Sequence, residues 1–135
     1  MTVKLATEAI RTIAVFEKVT KVHAKDCLIT DNCIYFLVDE KKVGLAVGKN
    51  GSVVKELRNM FRKQVKLFGY SDKLENMIKN MIPGLKNIRM YDDSVVVSIE
   101  PRDRVQVIGK NGENINAVRE MLKRHFSINN LKIKV

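Results

Sequence analysis

Val43-Gly44-Leu45-Ala46-Val47-Gly48-Lys49-Asn50-Gly51 decides how this chain is read, because its last four residues return as Gly109-Lys110-Asn111-Gly112, 61 positions later. Working outward, the same offset lays Ile34-Tyr35-Phe36-Leu37-Val38 over Val95-Val96-Val97-Ser98-Ile99, and Asp31-Asn32 over Asp92-Asp93. It pairs Ala46-Val47 with Val107-Ile108, Val54 with Ile115, Leu57 with Val118, Arg58 with Arg119 and Met60 with Met121. A single Gly-x-x-Gly is common by chance, whereas two in matched apolar surroundings point to a duplicated supersecondary unit. The period exceeds that of the usual solenoid repeats. Two small domains in tandem, residues 1–70 and 71–135, are the expected organisation.

Each half reads in the same order. Thr7 suits an N-cap and Glu8 a first helical turn. Ile10, Ile13, Ala14 and Phe16 follow near helical spacing, which predicts a helix over Thr7 to Thr20. Strands are expected at Cys27 to Thr30 and Cys33 to Val38, joined by a two-residue turn at Asp31-Asn32. A short helix from Lys41 to Val47 ends at Gly48. A longer one from Ser52 to Lys63 carries Val53, Val54, Leu57, Met60 and Phe61 on its apolar face, and Val65 and Leu67 mark a closing strand. The boundary is expected at Gly69 to Asp72, where Asp72 and Glu75 have the spacing of a capping box. Leu74, Met77, Ile78 and Met81 space the next helix, which Pro83-Gly84 ends. Strands at Lys86 to Tyr91 and Ser94 to Glu100 flank the turn Asp92-Asp93. A short helix from Pro101, a helix from Glu113 to His125 and a strand at Leu131, Ile133 and Val135 complete the repeat. The fold class is therefore α+β, sandwich-like, each half running helix, strand, strand, helix, Gly-x-x-Gly, helix, strand.

The loop chemistry points to a polyanion. Gly48, Gly51, Gly109 and Gly112 let the chain turn between two helices and let a sugar–phosphate backbone come close. The helix that follows each loop presents unpaired N–H groups and a positive dipole end. Lys49 and Lys110 add charges for phosphate, and Asn50 and Asn111 can donate and accept hydrogen bonds. Lys55, Arg58 and Arg119 extend the basic surface. The net charge is +10 and the pI about 9.8. Between Lys41 and Lys66 eight basic residues face Glu56 alone, and between Arg102 and Arg124 the balance is six to three. Such clustering is the footprint of nucleic-acid binding, although Lys63 and Lys66 fit a simple solvated face. Aromatic residues make up only 6% of the chain, and Phe16, Phe36, Phe61 and Phe126 fall at core positions. Val47, Val54, Ile108 and Ile115 are therefore the candidate floor for bases, and each serves equally well as core.

A Gly-x-x-Gly between two helices, followed by a strand, resembles the KH domain of RNA-binding proteins. With a helix and a hairpin placed before the helix pair, the order is similar to the type II arrangement, so the resemblance implies two tandem type II KH domains. Leu5 through Ile29, Val43 through Gly51, Ile108 through Gly112 and Lys123-Arg124-His125-Phe126 resemble the archaeal NusA-like transcription termination/antitermination family. That resemblance implies single-stranded RNA as partner, held at Gly48 to Gly51 and Gly109 to Gly112, and a transcription complex with its RNA polymerase as the setting. Its bacterial relatives carry further domains for which this sequence has no room. The second copy departs from the first at Val105, where Gly44 stands, and at Asn114, where Val53 stands, so the two sites are expected to differ.

Other functions find less support. Gly44-x-x-x-Gly48-Lys49 lacks the spacing of a phosphate-binding P-loop, and Asn50 stands where Ser or Thr is needed. Cys27 and Cys33 have no matching ligand pair for zinc. With Asp31-Asn32 as the turn, Cys27 lies opposite Phe36 and Cys33 opposite Thr30, which sets the sulfurs on opposite faces and disfavours a disulfide. No catalytic constellation is visible, so neither an enzyme nor a cofactor or metal is expected. No apolar run approaches the ~18 residues of a membrane span, and no signal peptide pattern opens the chain. A cytoplasmic monomer with reduced thiols is the expectation. The alternatives are an RNA-processing or ribosome-assembly factor using the same loops, and an adaptor docking its basic face on an acidic protein.

Overall fold

Residues 6–134 are described by the computed structural model, and they divide into two compact units, one running through Ser71 and the other beginning at Asp72. Leu5 and Val135, which the sequence reading placed in a matching stretch and in the last strand, lie outside the described residues.

In the first unit the order is α1 (Thr7–Thr20), β1 (Ala24–Ile29), β2 (Cys33–Asp39), α2 (Val43–Val47), α3 (Ser52–Phe61) and β3 (Gln64–Tyr70). The strands form one sheet in the order β1-β2-β3, antiparallel between β1 and β2 and parallel between β2 and β3. The turn is the two-residue one expected: Ile29 pairs with Ile34, and the Thr30 N–H donates to the Cys33 carbonyl at 2.9 Å. Thr30 Oγ1 also accepts from the Cys33 N–H at 3.0 Å, which locks the hairpin end. β2 is the central strand, and every residue from Cys33 to Val38 is buried.

Strand alternation sends Ile34, Phe36 and Val38 to one face, where they join Phe16, Ala46, Val54 and Leu57 from the helices in a single apolar cluster. Phe16 stacks on Phe36 at 4.1 Å between ring centroids, and Phe61 lies tilted against Phe36 at 6.1 Å. Cys33, Tyr35 and Leu37 take the other face, where Tyr35 stacks on Phe68 at 5.5 Å. Cys27 pairs with Phe36 and belongs to the helix-side cluster, so the two buried thiols lie on opposite faces and form no disulfide.

In the second unit α4 (Leu74–Met81), β4 (Leu85–Tyr91), β5 (Ser94–Ile99), α5 (Arg104–Ile108), α6 (Glu113–Phe126) and β6 (Asn130–Lys134) repeat that order. Its sheet, β4-β5-β6, has the same antiparallel and then parallel pairing. Asp92-Asp93 is again a two-residue turn, with Asp92 at φ 49°. Helix α6 has 14 residues against 10 for α3. The closing strands are consequently offset by 66 rather than 61: Gln64 pairs with Cys33 as Asn130 pairs with Ser94.

Several local expectations are corrected. Thr7 is already the first residue of α1, and Ala6 at the cap position makes no side-chain bond. Lys73 holds the cap position of α4, again without a side-chain bond, so Asp72 and Glu75 do not form a capping box. The buried stripe of α1 is Ala9, Thr12, Ile13, Phe16 and Thr20, whereas Ile10 is 55% exposed and Ala14 is exposed. The two threonines enter the core because their hydroxyls bond the carbonyls of Glu8 and Phe16, each at 2.8 Å. Met60 is 52% exposed instead of sharing the apolar face of α3. Lys63 is not merely solvated, since its Nζ donates to the Thr30 carbonyl at 2.7 Å.

Candidate nucleic-acid interface

Each Gly-x-x-Gly bridges a five-residue helix and a longer one. Gly48 has φ 79°, ψ 169°, a region that only glycine enters without strain. Asn50 follows at φ 55°, ψ 29°, and Gly51 at φ 73°, ψ 16°, both left-handed. Asn is the non-glycine residue best able to take that conformation. The second loop reproduces the geometry, with Gly109 at 77°, 174°, Asn111 at 56°, 26° and Gly112 at 74°, 12°. Gly51 N–H donates to the Gly48 carbonyl and Gly112 N–H to the Gly109 carbonyl, each at 3.1 Å.

The two glycines of each loop do different work. A Cβ on Gly48 would stand 2.5 Å from Val53 Cγ2, and one on Gly109 would stand 2.7 Å from Asn114 Cβ. These first glycines let the loop lie against the helix that follows. A Cβ on Gly51 would meet nothing within 4 Å, and one on Gly112 nothing nearer than 3.8 Å. The second glycines therefore face open space, where an incoming backbone can approach.

Beside the first loop runs a groove of about 330 Å³. Val43 and Val47 of α2, Val54 of α3 and Val65 and Leu67 of β3 form its apolar floor, and Asn50, Gly51, Lys55 and Arg58 rim it. Lys49, Lys55 and Arg58 are exposed and have no side-chain partner among the described residues. The first turn of α3 carries no acidic residue, so its N–H groups and dipole end stay uncompensated. Loop, helix end and rim together offer positive potential above an apolar slot. Such a slot accepts flat bases on one side and phosphates on the other.

A family profile described as the KH domain matches residues 10–78. The "Probable transcription termination protein NusA" of Methanocaldococcus jannaschii is 34% identical over 139 residues, covering 98% of this chain and 76% of that protein. This chain belongs to the archaeal NusA-like family of KH-domain proteins. Proteins of the same name from Halococcus morrhuae and Thermoplasma acidophilum are 30% and 27% identical, covering 98% and 94% of this chain and 99% and 92% of their own. The crystal structure of APE1850 superposes with a TM-score of 0.78 at 33% identity, over 96% of this chain and all (100%) of that one. The KH-domain match takes in the first loop and stops short of the second.

In this NusA-like protein the structure gathers Gly48, Lys49, Asn50, Gly51, Lys55 and Arg58 on one loop–helix segment, and Gly109, Lys110, Asn111, Gly112 and Arg119 on the equivalent one. Arg119 is exposed, and its guanidinium is also engaged within its own unit. Its Nε and Nη2 donate to the Leu131 carbonyl at 3.4 and 3.2 Å, and Nη1 to Asn116 Oδ1 at 3.5 Å. Leu131 lies on the outer strand of its sheet, so its carbonyl can take a side-chain donor. Val54 and Ile115 are 8% and 4% exposed and so belong to the core, Val54 also bordering the groove, while Val47 and Ile108 are half-buried. Val43, Val65 and Leu67 were not singled out as floor, because their meeting depends on the parallel pairing of β2 with β3. Glu113 in the first turn of α6 was also passed over. The 61-residue offset that places it over Ser52 could have shown it. Asn114, the other departure between copies, is buried and donates to the Val107 carbonyl at 2.8 Å, tying the loop to the helix before it.

Proposed function

We propose that this protein binds single-stranded RNA, without catalysis, through two tandem type II KH domains, and that it holds nascent RNA at a transcription complex during elongation or termination. The observation that carries this reading is the near-identical backbone of the two loops, whose glycine and asparagine dihedrals agree within a few degrees. The transcription setting is supported by the family to which the chain belongs and by the names its relatives carry. RNA and the transcribing polymerase are the partners this reading implies.

The two sites are unequal. In the second, Glu113 sets a carboxylate at the helix end where a phosphate would bind, and Arg119 is engaged with the Leu131 carbonyl. In the first, Arg58 has no partner among the described residues and the first turn of the helix carries no acid. The first loop is therefore the stronger phosphate site.

The test is fluorescence anisotropy with a labelled single-stranded RNA and its duplex. Gly51→Asp with Gly112→Asp puts a side chain and a negative charge where each loop is open, at left-handed backbone that Asp tolerates. Affinity for the single strand is expected to collapse while circular dichroism and melting change little. Gly51→Asp alone should cost more than Gly112→Asp alone. Unchanged binding by the double variant would show that the loops are not the site.

A further inference from the structure

The two sheets are alike in topology but differ in how far the centre of the face away from their helices is buried. In the first unit that face holds Asp26, Leu28, Cys33, Tyr35, Leu37 and Phe68, of which all but Leu28 are buried, with Gln64 and Lys66 exposed on its outer strand. In the second unit the centre of the corresponding face is open and polar instead, and Lys132 stands where the first unit has Lys66. β4 contributes Asn87, Arg89 and Tyr91, by its two-residue alternation. Ser94, Val96 and Ser98 stand at the centre on β5. Lys132 pairs with Val96 and Lys134 with Ser98 on β6. A shallow hollow of about 250 Å³ lies on this face, lined by Asn87, Arg89, Tyr91, Val96, Ser98 and Lys134. Arg89, Lys132 and Lys134 are exposed and have no hydrogen-bond or ion-pair partner among the described residues. Tyr91 is 55% exposed.

We infer that this open sheet face of the second unit is a further contact surface for single-stranded RNA, distinct from the glycine loop of the same unit. Among the described residues of its three strands, three cations and no acidic side chain stand on this face, whereas a surface kept only for solubility mixes both signs. Small central residues let an extended strand lie flat, and Tyr91 offers a ring on which a base can stack. Sheet faces that bind single strands combine these same elements, an aromatic ring and flanking cations. A protein partner fits less well, since the centre of a protein interface is depleted in Ser and Lys and this face presents two of each. The choice of RNA as occupant rests on the function proposed above; the existence of a cationic binding face does not.

The experiment uses the full chain with Arg89→Ala, Lys132→Ala and Lys134→Ala combined, none of which removes a side-chain hydrogen bond or ion pair among the described residues. Binding of a labelled, unstructured single-stranded RNA long enough to span loops and face is titrated across salt, beside wild type and the Gly51→Asp/Gly112→Asp variant. Loss of three phosphate contacts should lower the log–log salt slope by about 2 in magnitude and weaken binding at least about tenfold. A photoreactive uridine in the RNA should cross-link to Tyr91. If the triple variant keeps wild-type affinity and slope while the glycine variant loses binding, the sheet-face proposal is overturned and the loop reading stands. If the triple variant loses affinity while the glycine variant does not, the face is upheld and the loop reading fails. If a polyglutamate chain binds wild type but not the triple variant, and RNA binding is untouched, the face is a protein-docking surface and the inference is wrong.

Discussion

At the scale of single residues, the repeated tetrapeptide hides a division of labour. Gly48 and Gly51 look interchangeable in the sequence, yet one is packed and the other open. Replacing Gly48 by Ala forces a Cβ into Val53 and a side chain into backbone that excludes it, at a cost of about 1–3 kcal/mol. The same change at Gly51 costs only about 1 kcal/mol, for the left-handed conformation alone. Thermal melting should therefore fall clearly further for Gly48→Ala than for Gly51→Ala, by several degrees in a unit of this size. Equal melting temperatures would mean that the loop relaxes away from α3 and that the first glycine has no packing role. Arg58 and Arg119 give the same lesson. They match in the repeat, but only Arg119 meets a free carbonyl on an outer strand.

At the scale of elements, the sheet and its helices stand or fall on a few large side chains. Phe36 is fully buried between Phe16 and Phe61, and its strand is covered on both faces. Phe36→Ala is expected to cost about 3–5 kcal/mol. A unit of this size has little more stability than that. Urea denaturation followed by circular dichroism should show the first unit unfolded or nearly so in dilute buffer, and a loss below about 1 kcal/mol would mean that Phe36 is not packed between Phe16 and Phe61. Most elements were legible in the sequence, because strand alternation, the Asp-Asn and Asp-Asp turns and the Pro-Gly stop are local signals. The facing of α1 was not legible. Ile10 and Ala14 have the right hydrophobicity, but Thr12 and Thr20 were admitted to the core by hydrogen bonds to their own helix, which composition does not announce. Lys63 was misjudged for a similar reason, since the carbonyl that holds it comes from Thr30, 33 residues earlier.

At the scale of the whole molecule, the charge of +10 is distributed unequally over its partners. Lys55 and Arg58 at the first groove and Lys49 on its loop have no side-chain partner among the described residues, whereas Arg124 in the second unit is bonded to Glu120 at 3.0 Å. If about six phosphates are neutralised, single-stranded RNA should bind with a log–log salt slope of about −4, at roughly −0.7 per phosphate. Titrations at several salt concentrations measure it directly, and a slope near zero would remove phosphate contact from the account. The sequence by itself determined the duplicated unit, its order of helices and strands and the two glycine loops, because each of these is written in neighbouring residues and in their repetition. Tertiary structure alone decided which glycine is open, which arginine is held, which valines make a groove floor and which sheet face stays exposed. Those properties arise where residues far apart in the chain meet, through the parallel pairing of the closing strands and the burial of one sheet face but not the other.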